Sequence, residues 1–183
     1  MILGLDVSTS TTGYCVLDNY GKLVKLDAIQ LSRHKTVYEK ATQIKKTFNK
    51  LNQQYDVEQI FVEENLQAFR PGFSSAKTIL TLAKFNGITC LLANQEFNIE
   101  PIDINVNVAR KAIDLKILRG KNSQKNTKQQ VFEWVDKKIN FDWPTKVLKS
   151  GPRKGESTYE NCVYDMADAF VIARAGFKMN NLH

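Results

Sequence analysis

The first eighteen residues constrain this chain more than any other stretch. Ile2-Leu3-Gly4-Leu5 is a short apolar run that ends on a carboxylate, Asp6. An apolar run bounded by polar turn residues reads as a buried strand. Val7 to Gly13 is mostly Ser and Thr and closes on Gly, which reads as a tight polar turn. Tyr14 to Leu17 then returns as a second strand. The chain is thereby committed to an opening hairpin with a carboxylate at the end of its inner strand. A hydroxyl-rich turn can offer N–H and hydroxyl groups to an anion, so this stretch predicts a metal or phosphate site at Asp6. Asp also opens turns for purely local reasons, so the reading depends on acids elsewhere.

The rest of the chain alternates between strand and helix signals. Leu23 to Gln30 reads as a third strand. Val37, Ala41, Ile44, Phe48 and Leu51 recur at the three- and four-residue spacing of an amphipathic helix. Gln59 to Glu63 is a short apolar strand that ends on an acidic pair, Glu63 and Glu64. Asn65 to Phe73 is a loop centred on Arg70, Pro71 and Gly72. Ser74 or Ser75 caps a helix that runs through Gly87 towards Gln95, the alternative being a break at Gly87 and a strand over Ile88 to Leu92. Glu100 to Ile104 reads as a strand, Val106 to Leu118 as a helix, Gly120 to Asn126 as a basic loop and Thr127 to Lys138 as a helix. Phe141 to Tyr159 holds Pro144, Gly151, Pro152 and Gly155 among basic residues and is expected to be mobile. A last helix over Asn161 to Gly176 buries Val163, Met166, Ala167, Phe170 and Val171. This order predicts one α/β domain over residues 1–183 with a mixed sheet.

Composition narrows the function classes. No apolar run approaches the roughly 20 residues of a membrane span, and no basic-then-apolar leader opens the chain, so a cytoplasmic protein away from membranes is expected. Cys15, Cys90 and Cys162 are an odd, scattered set, which argues for reduced thiols. With only two histidines and no CxxC pair, zinc is disfavoured; a metal here must be held by carboxylates, which suits magnesium or manganese. The formal net charge is +7, and 13 Lys and Arg against 4 Asp and Glu fall between Asn105 and Lys154. That half suits a polyanion, and nucleic acid is the partner it predicts.

Four acids from three places complete the picture. Asp6 ends the first strand, Glu63 ends the fourth, and Asp165 and Asp168 lie three apart on the last helix. On the fourth strand Glu63 shares a face with Phe61 and Glu64 points the other way, so Glu63 is the expected partner of Asp6. Hydrolysis of a phosphodiester needs an activated water on one side and a stabilised leaving oxygen on the other. Two divalent cations about 3.5–4 Å apart supply both, held by carboxylates that converge from several elements.

These residues also carry a family resemblance. The opening Gly-Leu-Asp-x-Ser-x-x-x-x-Gly-Tyr, Phe-Val-Glu on the fourth strand and Tyr-Asp-Met-Ala-Asp-Ala on the last helix resemble RuvC-type Holliday junction resolvases. The resemblance implies a ribonuclease-H-like fold, a mixed five-stranded sheet flanked by helices. It implies that Asp6, Glu63, Asp165 and Asp168 are magnesium-binding catalytic acids, with two ions per site and manganese as a substitute. It places Lys128, and less closely Lys111, at phosphates near the cut bond. It also implies a homodimer that nicks two opposed strands of a four-way junction. The basic half adds Lys116, Arg119, Lys121 and Lys125 as nucleic-acid contacts. Where the family often has an aromatic three residues after the catalytic Glu, this chain has Leu66; Phe69 and Phe73, further along the loop, are the candidates to stack on an unpaired base. Two other readings share features with this one. A nuclease of the same fold acting on RNA or on branched DNA generally has the same acids. An actin-like ATPase or sugar kinase opens with a similar strand-Asp-turn-strand but needs about twice this length.

Overall fold

The computed structural model describes residues 1–64, 76–118 and 124–180. Strands β1 (Ile2–Asp6), β2 (Thr11–Leu17) and β3 (Leu23–Gln30) are followed by helix α1 (Val37–Gln54), strand β4 (Gln59–Glu63), helix α2 (Ala76–Phe97) and strand β5 (Ile102–Ile104). Helices α3 (Val106–Ala112) and α4 (Thr127–Asp136) come next, then the short strands β6 (Thr145–Val147) and β7 (Ser157–Tyr159), and last α5 (Cys162–Asn180). The five long-range strands lie in the order β3-β2-β1-β4-β5. β1 pairs antiparallel with β2 and parallel with β4, and β5 continues the parallel side, so the sheet is mixed.

Alternation along the strands sorts the core into two layers. Ile2, Cys15, Leu17 and Phe61 point to one face and pack with α3, α4 and α5. Leu3, Leu5, Tyr14, Val16, Ile60 and Val62 point to the other and pack with α1 and α2. Side chains of a strand alternate between faces, so Gly4 and Asp6 belong with Ile2, and Glu63 with Phe61. Both strand-end acids are therefore on the α5 side of the sheet. Helix α1 begins where the sequence says it should: Thr36 accepts the Glu39 N–H at 3.2 Å, and the Glu39 carboxylate accepts the Thr36 N–H in return.

Three expectations are corrected, and the helix expected through Gly87 is present. The turn after Asp6 is shorter than Val7 to Gly13, because the Ser8 hydroxyl donates to the Thr11 carbonyl at 2.7 Å and accepts its N–H at 3.2 Å. That closes the turn early and lets the β-branched Thr11 and Thr12 join β2. Helix α2 passes through Gly87 without a break, on an open side where a Cβ would meet nothing within 4 Å. Helix α3 stops at Ala112 instead of Leu118: Asp114 takes a φ of 59°, and the Leu115 N–H turns back to the Arg110 carbonyl at 2.9 Å, burying Ile113 and Leu115. The segment from Phe141 to Tyr159 contains an ordered hairpin, β6 paired with β7, with Trp143 buried at its base.

Candidate active site

Register sets the first two acids side by side. Leu5 of β1 stands opposite Val62 of β4, so the next residues along each strand, Asp6 and Glu63, are neighbours on the same face. The main chain of Glu63 is held from the other layer by Asn86 of α2, whose Nδ2 donates to the Glu63 carbonyl at 3.4 Å. Glu64 is engaged elsewhere. Its N–H pairs with the Ile104 carbonyl, and its Oε2 accepts Asn105 Nδ2 at 2.9 Å. Asn105 is the N-cap of α3, so Glu64 braces that helix while lining the rim of the cleft.

Helix α5 brings the other two acids, and a glycine decides how close it comes. Gly13 is the cross-strand partner of Asp6. A Cβ at Gly13 would run into the backbone of Asp165 and Met166. Gly4, on the same face, admits the backbone of Ala169 and Ala173 in the same way. At these two points the α5 backbone comes directly onto the strands, with no side chain between them. Its first two turns then put Asp165 and Asp168 over the ends of β1 and β4. Asp165 in that first turn is also favoured by the helix dipole.

The four carboxylates share a cleft of about 760 Å³ that opens at this end of the sheet. Their electrostatics show the crowding. Burial, then Glu63, Asp168 and Asp165, push the Asp6 carboxyl well above the usual carboxylate range. Burial and Asp168 raise Glu63 to about 7, against the opposing pull of Arg110 and Lys128. Burial raises Asp168 to about 6, again against Arg110 and Lys128. Burial also raises Asp165, opposed by Lys128. Two cations partly offset the set: Lys128 Nζ is 3.6 Å from Asp165 Oδ1, and Arg110 Nη2 is 3.8 Å from Asp168 Oδ1.

Such a set fits a hard divalent cation. All its donors are carboxylate oxygens, the ligand type magnesium and manganese prefer. Asp168 Oδ1 is buried without a hydrogen-bond partner; Arg110 Nη2, at 3.8 Å, offsets its charge but is too far to hydrogen-bond, so the oxygen keeps a lone pair for a closer cation. Among the described residues no group of three or more His, Cys, Asp or Glu side chains is placed to hold a metal ion as it stands.

The remaining sequence candidates separate. Lys128 reaches the cleft. Lys111 does not: it lies with Lys116 along a shallow groove next to α3, and Arg110, one residue earlier, faces Glu63 and Asp168 instead. Sequence reading missed Arg110 because α3 has no long periodic stripe to show which of two adjacent cations turns inward. Lys125 is on the surface and pairs with Glu133 at 2.6 Å. Phe69, Phe73, Arg119 and Lys121 lie outside the described residues. The Ser/Thr turn spends much of its polarity on itself through Ser8, although Ser8, Ser10 and Thr11 still line the cleft.

A mixed sheet in the order 3-2-1-4-5, with acids from β1, β4 and the last helix on one face, defines a protein of ribonuclease-H-like fold. Residues 2–143 match the family described as crossover junction endodeoxyribonuclease RuvC, and the chain belongs to that family. The crossover junction endodeoxyribonuclease RuvC of Aliarcobacter butzleri (strain RM4018) is 31% identical over 98 residues, 52% of this chain and 60% of that one. The chain thus aligns with rather less than two thirds of that curated relative. The structure of T. thermophilus RuvC in complex with a Holliday junction substrate superposes with a TM-score of 0.63 at 15% identity, covering 99% of this chain and 94% of that one. The yeast mitochondrial Holliday junction resolvase Ydc2 superposes with a TM-score of 0.57 at 18% identity, covering 98% and 78%. These likenesses bear out the fold and the family resemblance. The family match ends before α5, so Asp165 and Asp168 enter the site on geometry.

Proposed function

We propose that this chain is a divalent-metal-dependent endonuclease that nicks four-way or closely related branched DNA, and that it works as a homodimer. The observation that carries the reading is the convergence of Asp6, Glu63, Asp165 and Asp168, from three elements, on one cleft in which Asp168 Oδ1 has no hydrogen-bond partner. Magnesium or manganese, two ions per site, supplies an activated water and neutralises the leaving oxygen when bound. The four carboxylates would hold the ions, and with their raised proton affinities loading would release protons. Lys128 and Arg110 balance the acids in the free protein; with the acids neutralised they can turn to the phosphates of the strand being cut.

A four-way junction presents two equivalent strands, which suits two sites related by a two-fold axis. Helix α2 offers the surface for the pair. Its inner side buries Phe85, Thr89, Ala93 and Phe97 against the core. Leu80 and Leu91 remain 70% and 55% exposed, and with Gly87 they recur at helical spacing along the outer side. A twin helix can approach closely over Gly87 and cover both leucines.

The test is a substrate panel. With magnesium, labelled four-way junction is expected to be cut faster than Y-fork, and both far faster than linear duplex or RNA–DNA hybrid. Preferential cleavage of the hybrid would move the reading to a ribonuclease of the same fold. Equal cleavage of every branched form would leave a general branch nuclease.

A further inference from the structure

We propose that the β6–β7 hairpin is a DNA-guiding arm that holds the phosphate backbone of a strand beside the acid cleft. The proposal rests on the branched-DNA nuclease reading above and assigns a surface that the family match, ending at residue 143, does not reach.

The hairpin is built as a rigid projection. At its base Trp143 is buried, its ring edge-on to Phe132 and Phe141, and its Nε1 donates to Asp136 at 2.8 Å. Tyr159, at the other foot, is edge-on to the same Phe132. The Glu160 N–H closes the base on the Pro144 carbonyl at 2.9 Å. Phe132 and Asp136 belong to α4, the helix whose first turn carries Lys128. The arm and the lysine at the acids are therefore fixed to one element.

Beyond those anchors the hairpin contributes little to the core. Val147 is 60% exposed, and Lys146, Lys149, Arg153 and Lys154 are all exposed. Arg153 pairs with Glu156 at 2.6 Å, the one acid between β6 and β7. No ion pair among the described residues engages Lys146, Lys149 or Lys154. Lys146 lines the cleft together with Lys128 and Asp165, so the basic track is continuous from the acids outward along the arm. A row of unsatisfied cations leading out of an acidic, metal-suited cleft is complementary to a phosphodiester backbone whose scissile bond lies in that cleft. The same row has no complementarity to a membrane-type apolar surface or to a buried core.

Counterion release makes this measurable, because each phosphate contact contributes about 0.9 to the slope of log affinity against log salt. We would compare the wild type with the K146Q/K149Q/R153Q/K154Q variant by fluorescence anisotropy on a four-way junction, in calcium to limit turnover, between 50 and 200 mM salt (about the range over which such contacts are lost). A second variant replaces residues 148–155 by Asn-Gly, keeping Trp143, Tyr159 and the strand pairs. Both should melt at the wild-type temperature. Binding is expected to weaken at least tenfold at the upper salt concentration, and the slope to become shallower by about two to four for the charge variant. Wild-type binding with unchanged affinity and slope in both variants would overturn the guiding arm and leave the nuclease reading standing. Failure of the wild type to bind any branched DNA would overturn both.

Discussion

Asp6 sits where burial and then three other carboxylates raise its proton affinity and only Lys128 lowers it. Replacing Asp6 by Asn removes charge without changing shape. Asp6→Asn should therefore slow cleavage by at least about 10²–10³-fold, the loss typical of one transition-state-stabilising group, yet raise the melting temperature of the metal-free protein at pH 7.5. Stopped cleavage with a lowered melting temperature would mean that Asp6 is held by partners other than the acids. The sign of the pH dependence follows from the same groups. Glu63 at about 7 and Asp168 at about 6 hold protons in the folded state that the unfolded chain has released. Stability of the metal-free protein is therefore highest below about pH 4 as far as these groups are concerned, and falls as pH rises through about 7. Added magnesium should raise the melting temperature strongly at pH 7.5 and little at pH 5, which circular dichroism in EDTA and in magnesium will show. At the same scale, Glu63→Gln should stop cleavage, whereas Glu64→Gln should retain most of it and lose some stability at the α3 cap. Alternation of side chains along β4 was enough to tell which of these two acids lies on the α5 face of the sheet. It was not enough to choose between Arg110 and Lys111, because that choice depends on how a seven-residue helix is rotated by its neighbours.

The site depends on two points where α5 meets the sheet backbone to backbone. Gly13 and Gly4 let α5 rest on β1 and β2, and Asp165 is positioned by that contact. Gly13→Ala should push α5 away, destabilise the fold by about 1–3 kcal/mol as overpacking does, and cost activity out of proportion to that loss. Denaturant melts and cleavage rates under folding conditions separate the two effects; a stable, fully active Gly13→Ala protein would show that α5 has room to spare. The strongly patterned elements were legible in the chain. β1, β3, α1 and β4 follow from alternation or helical spacing over five residues or more. β6 and β7 were not, since three-residue strands rich in Lys, Ser and Thr look like loop, and their order comes from Trp143 and Tyr159 gripping Phe132 across the chain. Gly13 was legible only as a turn residue; its use as a contact surface for a helix about 150 residues later depends on the tertiary fold.

On the scale of the whole molecule, a chain of net charge +7 gathers Asp6, Glu63, Asp165 and Asp168 in one cleft that Lys128 and Lys146 also line. Repulsion among the acids is useful only if divalent ions and a phosphate backbone relieve it together. The outer side of α2 makes a separate claim: Leu80→Glu with Leu91→Glu should turn a particle of twice the chain mass into one of single mass in light scattering, and slow paired cutting more than single nicking. An unchanged mass would place the twin elsewhere. No helix among the described residues is long and apolar enough to cross a membrane.

The most direct measurement maps the cuts on a four-way junction labelled on each strand in turn, with magnesium and then with excess EDTA. The account predicts nicks in two opposed strands at symmetric positions, present in magnesium, absent in EDTA and absent for Asp6→Asn. Cleavage that persists in EDTA, or an intact junction in the presence of magnesium and folded wild-type protein, would contradict it.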